Sequence, residues 1–228
     1  MKPYQAQQAA PAKTSERLAP PSVRLAVASI FAALIALGTT LSIPLPPPLY
    51  EVTWSPAIYL ALAVLSDRWT AFSATAIGGF VGEAYNVAFR GAGSPIYPFG
   101  MIWARGPEIL IVAWGLKKGG LIHVPRDSKF RLRKIWLDPG TKWVFIAMVV
   151  ATVYETLAFF FPDWLFYAYG LFQYSVGAGQ SPLGLALFDF GTLVDLIWIP
   201  VAFVIIYSAA PAFRRLGFQS NVQEPAKP

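Results

Sequence analysis

The chain has 228 residues, of which 56% are hydrophobic and only 13% charged. Ordinary soluble domains carry about a quarter charged residues, so a chain this apolar could not cover itself with polar surface in water. The net charge of +6 comes without an aromatic-interleaved basic patch or nucleic-acid motif, and the lack of cysteine excludes disulfides, thiol catalysis and cysteine-ligated metals.

The apolar residues are gathered into runs, with room for six spans of about 20 residues each. Residues 1–21 are polar, without the charged start, apolar centre and cleavage site of a secretory signal, and read as a flexible cytoplasmic tail. Span one runs from about Val23 to Leu41. The segment Ile43-Pro44-Leu45-Pro46-Pro47-Pro48-Leu49 cannot continue it, because proline fixes φ and removes backbone donors; an extended, semi-rigid loop over 43–54 is expected. Span two opens on Ser55-Pro56, an N-cap residue followed by proline at the first helical position, and ends by Asp67-Arg68. Span three, from Trp69 to about Ala88, carries Gly78, Gly79 and Gly82, which let helices approach closely.

After a Gly/Ser/Pro loop, span four covers about Phe99 to Leu116, interrupted by Arg105-Gly106-Pro107-Glu108. A basic segment from Lys117 to Lys134 leads to span five, Lys142 to about Phe161. An aromatic, Gly-rich loop over 163–182 precedes span six, Leu183 to about Ser208, where Pro200 is expected to kink the helix. Residues 211–228 read as a second cytoplasmic tail, leaving 22–210 as the membrane domain. The fold class expected is therefore an all-α membrane protein, six transmembrane helices in one bundle.

Orientation follows from the basic residues. With the N-terminus inside, the loops 43–54, 90–98 and 163–182 face outward and contain only Arg90, whereas the inner segments hold nearly all the rest. Cytoplasmic loops are the ones enriched in Lys and Arg, which places both termini in the cytoplasm of a multi-pass cell-membrane protein.

Six charged residues fall within the spans: Glu83, Arg105, Glu108, Glu155, Asp189 and Asp195. A charge at the bilayer centre costs about 2.5–3.5 kcal/mol on insertion scales, so such residues face a partner or a wet cavity. On this topology Glu83, Arg105, Glu155 and Asp189 share the outer half, with Trp54, Tyr85, Asn86, Trp103 and Tyr154 near them, while Glu108 and Asp195 sit deeper. The functional reading is an outward-facing pocket for a small cationic or neutral heteroaromatic solute, held by stacking, cation–π contact and hydrogen bonds. The bland alternative is that Arg105 pairs with Glu108 or Asp195 to hold helices together. Trp143, Trp164, Phe166 and Tyr167 fit an interfacial belt. His123 lies in the basic loop, and no metal site can be built around it. On span one, Ala28, Ala32 and Ala36 recur every fourth residue, widened by Ala26, Ser29 and Ala33; this smooth face would admit another helix, either within the bundle or from a partner.

Taken in order, the Ala-rich "VRLAVASIFAALIALGTTL", the Pro-rich "SIPLPPPLYEVTWSPAIYLALAVL" and the Gly-rich "TAFSATAIGGFVGEAYN" resemble the substrate-binding S components of energy-coupling factor (ECF) vitamin transporters. The resemblance implies a vitamin-like solute captured from outside beneath gating loops, here 43–54. It also implies docking of the first-helix alanines, here Ala28, Ala32 and Ala36, on a transmembrane coupling component that works with two cytoplasmic ATPases. The chain has no P-loop of its own, in keeping with a binding subunit that is not itself an enzyme and needs no cofactor. The rivals are an intramembrane hydrolase, for which only a carboxylate pair could serve, a stand-alone ion-coupled transporter, and a structural subunit of a membrane complex.

Overall fold

The computed structural model describes residues 19–44, 51–91, 95–120, 122–123, 138–170, 181–218 and 222–223. Most of the N-terminal tail and of the basic segment, residues 45–50 of the proline-rich loop, residues 92–94 and 171–180, and residues 219–221 and 224–228 lie outside these. Among the described residues six helical stretches follow one another: α1 (Pro21–Thr40), α2 (Ser55–Leu65), α3 (Arg68–Arg90), α4 (Tyr97–Gly119), α5 (Pro139–Ala168) and α6 (Pro182–Arg215). Three of them, α1, α5 and α6, are long and apolar enough to cross a membrane.

The description all-α needs one correction. The proline-rich segment pairs with itself, β1 (Ser42–Pro44) lying antiparallel to β2 (Glu51–Thr53) with Ile43 opposite Val52. Residues 122–123 (β3) and 222–223 (β4) form a second, parallel pair. Proline is tolerated at a strand edge, where its missing N–H faces away from the partner. The β1–β2 ribbon covers one end of the bundle, formed by the C-termini of α1 and α3 and the N-terminus of α2.

Helix α2 is the hub. It is apolar on every side and only 11 residues long, about 16 Å at 1.5 Å per residue, and every residue but Ile58 is buried. Around it pack α1, α3, α4 and the last part of α6. Small residues set how closely: a Cβ on Gly78 would lie 2.5 Å from the Ala32 carbonyl oxygen, and one on Gly82 would lie 2.8 Å from that of Ala36. The Ala32/Ala36 stripe therefore meets a Gly-x-x-x-Gly face inside the chain. Farther along, Gly115 of α4 sits directly against Ala147 of α5.

At the end away from the hairpin, Arg24 of α1 makes a bidentate bridge to Asp67, Nε to Oδ2 and Nη2 to Oδ1, both 3.0 Å. Asp67 also caps α3 by accepting from the backbone N–H groups of Trp69 and Thr70. Burial alone would push this carboxyl up; the hydrogen bonds from Thr70 and the Arg24 guanidinium more than offset it and hold Asp67 below the usual carboxylate range.

The expected interruption of span four does not occur: α4 runs unbroken through Arg105-Gly106-Pro107-Glu108. Pro107 cannot donate to the Trp103 carbonyl, and the Tyr154 hydroxyl of α5 donates to that carbonyl instead, at 2.9 Å. The reverse exchange repairs α5, which continues past Phe161 to Ala168. Pro162 frees the Ala158 carbonyl, and the Trp103 indole Nε1 donates to it at 3.2 Å. Two helix-interior prolines are thus satisfied across one interface. Span six is a composite: an α turn (Pro182–Ala186), a 3₁₀ stretch (Leu187–Trp198) and an α-helix (Ile199–Arg215) that starts beside Pro200. The expected kink is a change of helix type, with Pro200 in the first turn of the new helix, where its missing donor goes unneeded.

Candidate functional site

Beneath the hairpin, four helices bring buried polar groups together. Arg105 of α4 is 6% exposed, and its Nε donates to Glu155 Oε1 of α5 at 2.7 Å. Its Nη1 donates to Ser55 Oγ at the first residue of α2 (3.1 Å) and to Thr39 Oγ1 near the end of α1 (3.4 Å). One turn along α2 from Ser55, the Tyr59 hydroxyl donates to Glu155 Oε2 at 3.2 Å, and the Tyr59 ring lies 5.6 Å from the Arg105 guanidinium. Ser55 and Tyr59 share a face because residues four apart in a helix do. Thr53 Oγ1, on β2, hydrogen-bonds Ser55 Oγ at 3.2 Å, so the ribbon joins the network directly.

Two further carboxylates lie within electrostatic reach of Arg105: Asp195 of α6, 5% exposed, and Glu108, one turn along α4, with no exposure. Three buried carboxyl groups therefore surround one guanidinium. The Arg105–Glu155 pair is mutually satisfied. Neither Glu108 oxygen has a hydrogen-bond partner among the described residues, and the nearby Tyr59 hydroxyl gives its proton to Glu155. A buried carboxylate without a donor is unfavourable as the charged form. The Trp198 indole Nε1 is likewise buried and unpartnered, on a ring packed at a tilt against that of Trp54, centroids 4.5 Å apart; Trp54 is 45% exposed beside the ribbon.

The residues expected in one pocket fall into separate groups. Arg105 and Glu155 come together. Thr39 links them to a second group, since its carbonyl accepts from Asn86 Nδ2, which also donates to Glu83 Oε2, both at 3.4 Å. Asp189 belongs elsewhere: it accepts from the Tyr97 hydroxyl at 3.3 Å, which also donates to Asp163 Oδ2 at 2.9 Å. Tyr85 stands apart from these groups, 48% exposed and packed at a tilt against Phe89. Tyr154 serves the proline exchange described above. Ala32 and Ala36 face α3 within the chain and Ala28 is half-buried against the core, while Ala26, Ser29 and Ala33 remain exposed. The alternative pairing of Arg105 with Glu108 or Asp195 gives way to Glu155 as its direct partner.

Sequence reasoning missed Tyr59, Ser55, Thr39, Asp163 and Trp198. Only Ser55 and Tyr59 left a signal, two polar-tipped residues four apart in an otherwise apolar run. Thr39 and Trp198 look like any helix-end threonine or belt tryptophan, and Asp163 falls in the loop expected over 163–182, whereas the helix continues through it. Among the described residues no group of His, Cys, Asp or Glu is placed to hold a metal ion. Comparison with known proteins finds no family model, no curated protein and no solved structure that matches this chain.

Proposed function

We propose that this chain is the membrane-embedded, substrate-binding subunit of an ECF-type importer, taking up a small vitamin-like heteroaromatic solute and handing it on under the drive of partner ATPases. In this reading the six helices form one membrane-embedded bundle with the short α2 buried at its centre, both termini are cytoplasmic, and the β1–β2 ribbon is the outer gate. The observation that carries it is the buried centre beneath the ribbon: an Arg105–Glu155 pair, the Tyr59 ring and hydroxyl, and the unpartnered Glu108, roofed by Trp54 and Trp198. A stacking surface with a few convergent polar groups is what small-solute sites are made of. The sequence-order resemblance supplies the assignment to importers.

The reading also redirects the docking face. Ala32 is buried against α3 and the Ala36 backbone packs on Gly82, so the surface offered to a transmembrane coupling component is Ala26, Ser29 and Ala33. The test has two parts. Purified protein should release one co-purifying solute on denaturation, and re-adding it should quench tryptophan fluorescence. Ala33→Trp should abolish ATP-driven uptake with the partners present yet leave that quenching unchanged; equal uptake by the variant would sink the importer reading.

The unpartnered Glu108 favours a second reading, a carrier coupled to protons, in which this carboxyl takes up and releases the coupling ion. Uptake into liposomes by the chain alone, driven by a pH gradient and lost in Glu108→Gln, would select that reading over the first.

A further inference from the structure

On the outside of the bundle, between the last turns of α1 and the facing turns of α3, lies an open groove of about 490 Å³. Its walls are Ala36, Leu37, Leu41, Val81, Gly82 and Tyr85, and Thr40 and Arg90 close its hairpin end. The walls are apolar and uncovered: Leu37 is 54% exposed, Leu41 55% and Val81 50%. Gly82 and Ala36 bring the helix backbones together at its floor, so depth comes from missing side chains rather than from a gap between helices.

The hairpin end differs in kind. Arg90 is exposed, at the last residue of α3. Its Nη1 donates to the Thr40 carbonyl at 2.8 Å, with Ser42 Oγ and the Asn86 amide oxygen at 3.4 Å. These contacts all fall on one nitrogen. They anchor the guanidinium and offset the carbonyl end of α1. Among the described residues Nε and Nη2 donate to none, and Arg90 lines the end of the groove. Glu83, the nearest acid along α3, lies two turns before Arg90 on the same face, where its Oε2 accepts from Asn86 Nδ2.

We propose that this groove is a binding site for one anionic phospholipid, an acyl chain lying along Leu37, Val81 and Tyr85 and the phosphodiester accepting from the free edge of Arg90. The length of apolar wall demands a chain, and a fork of N–H donors at its end matches phosphate geometry. Arginine near a helix end keeps its head at the interface while its stem covers apolar surface, which sets the headgroup at the hairpin end. Tyr85, packed at a tilt against Phe89 with centroids 4.9 Å apart, supplies the amphipathic ring typical of that depth. The site is independent of the buried centre and of the solute.

The test is native mass spectrometry of the delipidated full chain in mixed micelles with equal dioleoylphosphatidylglycerol and dioleoylphosphatidylcholine. The wild type should keep one phosphatidylglycerol adduct in preference to phosphatidylcholine by about fivefold, the factor one interfacial basic residue supplies. Arg90→Gln should abolish the preference, and Arg90→Lys should retain part of it. Val81→Trp, which fills the groove and leaves Arg90 intact, should remove both adducts, and it decides the matter if Arg90→Gln does not fold. Equal adducts on the wild type, a preference surviving in Arg90→Gln, or adducts undiminished in Val81→Trp would each overturn the proposal. Displacement of the adduct by inorganic phosphate alone would overturn the lipid assignment in favour of a free-anion site.

Discussion

At the scale of single residues, the buried Arg105–Glu155 pair matters through what breaking it leaves behind. Taking two charges out of water roughly cancels their attraction, whereas stranding one is strongly unfavourable. Glu155→Gln should therefore cost about 3–5 kcal/mol of unfolding free energy in detergent. The paired replacement Arg105→Met with Glu155→Leu should recover most of that loss while still removing solute binding; recovery of neither would mean that the network stabilises through Ser55 and Thr39 instead. Asp67 gives a pH signature. Its carboxyl is held below the usual range, so the folded protein binds fewer protons there than the unfolded chain does. Its contribution is present above the ordinary carboxylate value, near 3.9, and is lost as pH falls below it toward the folded value. Asp67→Asn should flatten the acid limb of the stability profile and leave neutral-pH binding intact, as read by thermal unfolding across pH.

At the scale of elements, helix interfaces here rest on two devices, absent side chains and exchanged hydrogen bonds. Gly78 admits the α1 backbone, so Gly78→Leu should separate α1 from α3 and lower the melting temperature sharply. Ala33→Leu, on the exposed side of the same helix α1, should leave it nearly unchanged. The α4–α5 exchange makes a finer prediction. Tyr154→Phe removes one hydroxyl and orphans the Trp103 carbonyl beside Pro107, which should cost about 1–3 kcal/mol. Unfolding in chemical denaturant measures it, and a loss below a few tenths would mean that the carbonyl has found another donor. Much of this was legible beforehand. The Gly-rich face of α3 and the start of α2 near Ser55-Pro56 follow from spacing and backbone chemistry alone, although Ser55 is the first helical residue and its hydroxyl turns to Thr53 and Arg105 instead of capping. The continuity of α4 and α5 through their prolines was not legible, because the repair comes from side chains 51 and 55 positions away. A proline's local effect can be read from sequence; the donor that replaces its lost bond cannot.

At the scale of the whole molecule, the proposed topology is testable directly because the chain has no cysteine. Single cysteines can be introduced without background. Ser94→Cys should react with a membrane-impermeant maleimide in intact cells, and Lys129→Cys only after permeabilisation; the opposite pattern would invert the protein. By itself the sequence determined that this is a helical chain with stretches fit for a bilayer, which residues carry charge within its apolar runs, and which faces are smooth. Those properties are local, set by the order of apolar, proline, glycine and basic residues. Only the tertiary structure decided which charges meet. It paired Arg105 with Glu155, drew Tyr59 and Ser55 to them, set Asp189 apart with Asp163 and Tyr97, and turned Ala32 and Ala36 inward. Helical periodicity fixes the direction of a side chain relative to its own axis. The rotation of each helix against its neighbours is settled by packing among residues far apart in the chain, and that rotation chose the partners.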